Sequence, residues 1–84
     1  MAIVDPPSDI VAALRESVET ALPGAQVEVR ANSPGHFQLR VVSEAFAGKS
    51  RVQQQQMVYA AIAHLMRGDD APVHAIDQLQ VVVP

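Results

Sequence analysis

Ile10, Leu14 and Val18 recur at intervals of four residues, with Val11 and Leu22 beside them, whereas Arg15, Glu16 and Glu19 fall mostly on the other side. That spacing predicts an amphipathic helix. The prolines of Asp5-Pro6-Pro7 bias their predecessors away from helical angles, and Ser8 is a good N-cap, so the helix is expected to start at Ser8 and to end at Pro23-Gly24. From Ala25 to Ala31 the period drops to two, with Val27 and Val29 on one face and Gln26, Glu28 and Arg30 on the other, which predicts a half-buried strand. Asn32-Ser33-Pro34-Gly35 reads as a turn, and the alternation of Phe37, Leu39 and Val41 with His36, Gln38 and Arg40 completes a hairpin.

Ser43 to Gly48 breaks the alternation around one core candidate, Phe46, and is expected to be a helical turn followed by a tight loop. Ser50-Arg51-Val52-Gln53 matches a capping box and opens a longer helix through about Arg67. Val58, Ile62, Leu65 and Met66 supply its apolar face, with Val52, Tyr59 and Ala63 nearby, and Gln53 to Gln56 are read as a solvated face. Gly68-Asp69-Asp70-Ala71-Pro72 is a stop, and Val73 to Val83 reads as the third strand. Leu79, Val81 and Val83 share a face, but Val82 is apolar too, so this strand is expected to be covered or paired more fully than the hairpin.

A sheet with one apolar face and two amphipathic helices is most economically closed by packing both helices on that face, which makes the class α+β. The long connection through the second helix allows strands two and three to run parallel.

At 84 residues the chain fits one domain, expected to span 1–84 with residues 1–7 flexible. A domain of this size buries only about 60–65% of its unfolded surface and has little room for an enclosed substrate pocket. The net charge of −3 argues against a protein devoted to phosphate backbones, although local basic patches remain. With no cysteine, the chain has no disulfide, thiolate ligand or lipidation site of its own. The start has no signal-peptide pattern and no stretch approaches the roughly 18 apolar residues of a membrane span, so a cytoplasmic location away from membranes is expected.

No Gly-rich phosphate loop, metalloprotease histidine pair or nucleophile elbow is present, and the expectation is a non-enzymatic protein. Glu16, Glu19, Asp69 and Asp70 read as solvated charge. Three histidines remain: His64 within the second helix reads as a surface or boundary side chain, His36 opens the second strand on its polar parity, and His74 enters the third. If those strands are parallel neighbours, His36 and His74 start side by side. Two imidazoles do not complete a tetrahedral site, so such a pair would be half of one, completed by a partner that carries thiolates.

Gly35-His36-Phe37-Gln38-Leu39, then Val42-Ser43-Glu44-Ala45-Phe46-Ala47-Gly48-Lys49-Ser50-Arg51-Val52, then Met57-Val58-Tyr59 and Val73-His74-Ala75-Ile76 follow one another in this order. This ordered set resembles the BolA family, and within it the short bacterial IbaG-like branch, from about Ser17 to Val83. The resemblance implies a class II KH-like fold, α-β-β-α-α-β, with a three-stranded mixed sheet covered on one face by helices. It implies a partner, a monothiol glutaredoxin of the CGFS type, and a shared glutathione-ligated 2Fe-2S cluster used in cluster trafficking, iron sensing and iron homeostasis. The free protein is expected to be a monomer or weak homodimer without a cofactor.

In such a complex the histidine of the family's HA motif, here His74, is a cluster ligand. The other comes from the loop between the first two strands as Cys or His, and here His36 at the loop's end is the candidate. The alternative that the resemblance raises is a DNA-binding transcriptional regulator. KH domains clamp backbone with a GXXG loop, whereas the matching stretch here, Gly48-Lys49-Ser50-Arg51, ends in Arg. Lys49, Arg51 and Arg40 are the candidate contacts to nucleic acid, or to glutathione and the partner.

Overall fold

The computed structural model describes residues 6–84 and orders them as α1 (Pro6–Ala21), β1 (Gln26–Ser33), β2 (His36–Val42), a single 3-10 turn (Glu44–Phe46), α2 (Arg51–Met66) and β3 (Ala75–Val82). With the 3-10 turn as the middle helix, this is the expected α-β-β-α-α-β order. The sheet runs β1-β2-β3, with β1 antiparallel and β3 parallel to the central β2. α1 packs on β1, α2 on β3, and the two helices on each other. Leu14, Val18 and Leu22 of the first helical segment thereby meet Phe37, Leu39 and Val41 of β2 and Val58 and Ile62 of α2 in one core. Burying each such side chain contributes about 1.5–3 kcal/mol. His36, Gln38, Arg40 and Val42 alternate with the buried positions of β2 and face away from that core.

Several boundaries depart from the sequence expectation, each for a local reason. α1 includes Pro6 and Pro7 and does not wait for Ser8, because the first turn of a helix has no intrahelical use for the missing N–H. Of the segment 1–7, expected to be flexible, residues 6–7 belong to the first turn of α1 and residues 1–5 lie outside the described residues. β1 continues through Asn32 and Ser33, beyond the strand end that the sequence predicts, and the reversal shrinks to Pro34-Gly35 with Gly35 at φ +77°. β3 begins at Ala75, two residues later than expected, because Val73 is spent as a fully buried plug whose N–H donates to the Leu65 carbonyl at 3.1 Å.

β3 is also an edge strand rather than the most fully paired one; the fully paired strand is β2. On α2, Val52 and Tyr59 leave the apolar face, at 61% and 40% exposure. At about 100° per residue they lie roughly 100–120° around the helix from Val58. The capping box forms as expected, with Gln53 N–H donating to Ser50 Oγ and Ser50 N–H to Gln53 Oε1. The glutamine tract is less solvated than expected, since Gln54 Nε2 donates to the carbonyls of both Phe46 and Lys49 and ties α2 to the loop before it.

Candidate functional site

The turn end of the sheet is where chemistry-bearing side chains converge. Gly35 presents its carbonyl to two successive N–H groups of the incoming strand, His74 at 2.8 Å and Ala75 at 3.1 Å. That bifurcated contact docks the start of β3 against the turn, one residue beyond the buried Val73. Val73 is buried, whereas His74 is exposed. The imidazole lies over the α-carbon of Gly35: a β-carbon there would stand 2.6 Å from Nδ1 and 2.7 Å from Cγ. His36, the residue after Gly35 and the first of β2, pairs in register with Ala75, the residue after His74, so the two histidines leave the backbone on either side of the first rung of the parallel ladder. His36 and His74 thus flank the contact between the Gly35 carbonyl and the start of β3.

His36 is held by a residue that sequence reasoning missed. Its Nδ1 lies 2.9 Å from Asp77 Oδ1, and Asn32 Nδ2 donates to Asp77 Oδ2 at 3.1 Å. Both neighbours reach β2 through irregularities: the β1 register slips between Ala31 and Ser33, leaving Asn32 unpaired, and the β3 register slips opposite Phe37 and Gln38, leaving Asp77 unpaired. These are bulges, and bulges re-aim side chains. The hydrogen bonds from His36 first, and then from Asn32, hold the Asp77 carboxyl below its ordinary value of 3.8, and the partial burial that opposes them is weaker. The ionised carboxylate only accepts, so His36 Nδ1 carries the proton and, in the neutral ring, Nε2 keeps its lone pair. The sequence signal for Asp77 is a break in alternation, since Ile76 and Leu79 are three apart yet both pack on the core.

The remaining candidates fall elsewhere. His64 Nε2 is 3.2 Å from Ser17 Oγ, joining α2 to α1 as a boundary residue. Arg40 sits on the open face of β2, opposite Glu28 of β1 and Gln80 of β3. Arg51, at the start of α2, lines a groove with Gln78 and Gln80, on the other side of those glutamines from Arg40. Lys49 lies in the exposed loop before Ser50. Among the described residues no group of three or more His, Cys, Asp or Glu side chains is placed to hold a metal ion. Two imidazoles are borderline nitrogen donors and are too few for a closed tetrahedral metal site. Among the described residues no helix is long and apolar enough to cross a membrane.

A family model described as BolA-like protein matches residues 10–82. The chain belongs to the BolA-like family. It is 37% identical over 76 residues to human BolA-like protein 1, covering 80% of this chain and 53% of that protein. The chain thus spans about half the length of the first curated relatives it matches. Among solved structures it is similar to mouse BolA1, with a TM-score of 0.71 and 32% identity over 100% of this chain and 70% of that one. It is also similar to the BolA domain of SufE1 from Arabidopsis thaliana, with a TM-score of 0.77 and 27% identity over 99% of this chain and 96% of that one. The BolA fold and its α-β-β-α-α-β order are therefore those of this chain.

Proposed function

We propose that this BolA-like chain is the imidazole-bearing partner of a monothiol CGFS glutaredoxin. In this reading His74 and His36 co-ligate a glutathione-bound 2Fe-2S cluster for trafficking or iron sensing. The observation that supports this is the placement of both imidazoles at one end of the sheet, His74 resting on Gly35 just before β3 and His36 opening the adjacent β2. With no cysteine in the chain, the pair needs thiolates from outside, and a glutaredoxin cysteine with glutathione would provide them. A cluster held this way supplies one-electron chemistry or is passed on as cargo, and histidine ligation at one iron raises its potential over an all-thiolate site. The chain's own part is to present and orient two neutral imidazoles and to dock the partner. It carries out no turnover itself.

The test is to mix the protein with reconstituted, glutathione-bound CGFS glutaredoxin and follow visible absorption and circular dichroism, with wild type and His74→Ala side by side. A heterodimer spectrum that changes in the variant supports the reading. No complex, or one indifferent to His74, removes it and leaves nucleic-acid binding through Lys49, Arg51 and Arg40 to be tested by its salt dependence. The structure favours the first reading because Arg40 faces Glu28 across the β1–β2 ladder and the chain as a whole is acidic.

A further inference from the structure

We infer that Asp77 is a positioning residue for His36: the two bulges bring Asp77 and Asn32 around the imidazole so that Nδ1–H is committed to the carboxylate and Nε2 is the nitrogen offered outward. Three features carry this. The contact is short, 2.9 Å from Nδ1 to Oδ1. The second carboxylate oxygen is fixed independently by Asn32 Nδ2 at 3.1 Å, so the carboxylate is oriented from β1 while it orients a ring on β2. And Asp77 reaches that place only because the β3 register slips opposite Phe37 and Gln38. Without the slip, strict alternation with Leu79 and Val81 would turn position 77 toward the core.

A carboxylate on the distal nitrogen of a ligating histidine fixes its tautomer and ring orientation and raises its basicity. With both side chains part-exposed, at 43% and 39%, the arrangement holds the ring without enclosing it and leaves Nε2 reachable by a partner's metal centre. Among the described residues no carboxylate is hydrogen-bonded to the His74 ring, which rests on the Gly35 α-carbon. The two imidazoles are therefore unequal, His36 fixed in tautomer and His74 fixed only in place.

The ligand part of this inference rests on the half-site reading above, whereas the tautomer part stands on the free chain. The experiment has an arm for each. Long-range proton–nitrogen correlation spectra of the full-length, nitrogen-labelled free protein, recorded above the pH range where imidazoles protonate, report which ring nitrogen of His36 bears hydrogen. The expected result is hydrogen on Nδ1 in wild type and the mixture of an unconstrained ring in Asp77→Ala, with amide dispersion in the same spectra showing that the variant is folded. Hydrogen on Nε2 in wild type, or a tautomer unchanged in Asp77→Ala, overturns the inference.

In the second arm the glutaredoxin complexes of wild type, Asp77→Ala and His36→Ala are challenged with an iron chelator. Asp77→Ala is expected to hold iron about 10–100-fold less tightly and to move the histidine-sensitive spectrum toward that of His36→Ala. A wild-type complex that forms normally while Asp77→Ala matches it overturns the positioning role. Failure of wild type to form any cluster-bridged complex overturns the half-site reading instead, and the free-protein spectra still decide the tautomer.

Discussion

The imidazole of His74 lies on the α-carbon of Gly35, with no room between them for a methyl group: a β-carbon would come within 2.6 Å of Nδ1. Gly35 also sits at φ +77°, a conformation that costs an L side chain about 1–2 kcal/mol. Gly35→Ala is therefore expected to lose that stability in urea unfolding and, in addition, to displace the His74 ring, moving its ring resonances and weakening any His74-dependent cluster spectrum. Gly48 provides the control, because it has φ +78° and nothing within 4 Å of an added β-carbon. Gly48→Ala should show the backbone cost and leave His74 undisturbed. Equal effects of the two substitutions on the His74 resonances would refute the contact.

Ser50 and Gln53 satisfy each other's backbone N–H groups at 3.1 and 3.0 Å at the start of α2. Ser50→Ala removes one acceptor and is expected to cost about 1 kcal/mol, seen as a fall of roughly 4–8 °C in the thermal midpoint followed by circular dichroism. Ser50→Gly should cost only a few tenths of that. An unchanged midpoint in Ser50→Ala would mean that α2 is held by its packing on β3 and α1 alone.

Phe46, fully buried on a three-residue 3-10 turn, connects the sheet to α2. Its turn is capped by Ser43 Oγ accepting from the Ala45 N–H at 3.1 Å, so the ring has no alternative place to go. Phe46→Ala should cost about 3–5 kcal/mol, a large share of the total stability of a small domain. Chemical denaturation should show a strongly reduced midpoint with unchanged slope, and a loss under about 1 kcal/mol would show that the core collapses around the gap.

What was legible in the sequence and what was not divide along one physical line. The capping box at Ser50, the buried Phe46, the alternation of Phe37, Leu39 and Val41 and the stop at Gly68 are all local patterns, and each appears in the fold. His36 and His74 could be placed at adjoining strand starts only on the condition that strands two and three pair in parallel, which the long connection allows and β2 and β3 do. The bulges at Asn32 and Asp77 could not be named, because a bulge is defined by the partner strand's register and not by its own residues. Asn32 looked like a turn residue, and its Asn-Ser-Pro-Gly context supports that as long as β1 is considered alone. Asp77 falls inside the stretch that the sequence assigns to the third strand. Val73 and Val52 show the same limit from the apolar side, since one Val is buried outside any strand and the other is exposed on a helix. Only the neighbouring elements decide which.

The Asp77 carboxyl provides a prediction with a definite sign. Hydrogen bonds from His36 and then Asn32 favour its ionised form in the folded chain and lower its pKa below the 3.8 it has when unconstrained. The folded state therefore holds fewer protons than the unfolded state between those two values. The stabilisation from this group is fully present above the ordinary aspartate range and is lost as pH falls through the lower, folded value. Carbon-detected titration should give Asp77 a midpoint below 3.8 in wild type, rising toward the ordinary value in Asn32→Ala and further in His36→Ala, because the imidazole contributes the larger effect. In acid unfolding, the part of wild type's advantage over Asp77→Asn that this carboxylate supplies should be lost as pH falls below about 4. The carboxylate is solvent-accessible and the whole effect is modest, so its direction is the decisive observation. A wild-type midpoint at or above 3.8 would mean that the contacts from His36 and Asn32 do not persist in solution, and the carboxylate could not then be what fixes the His36 ring.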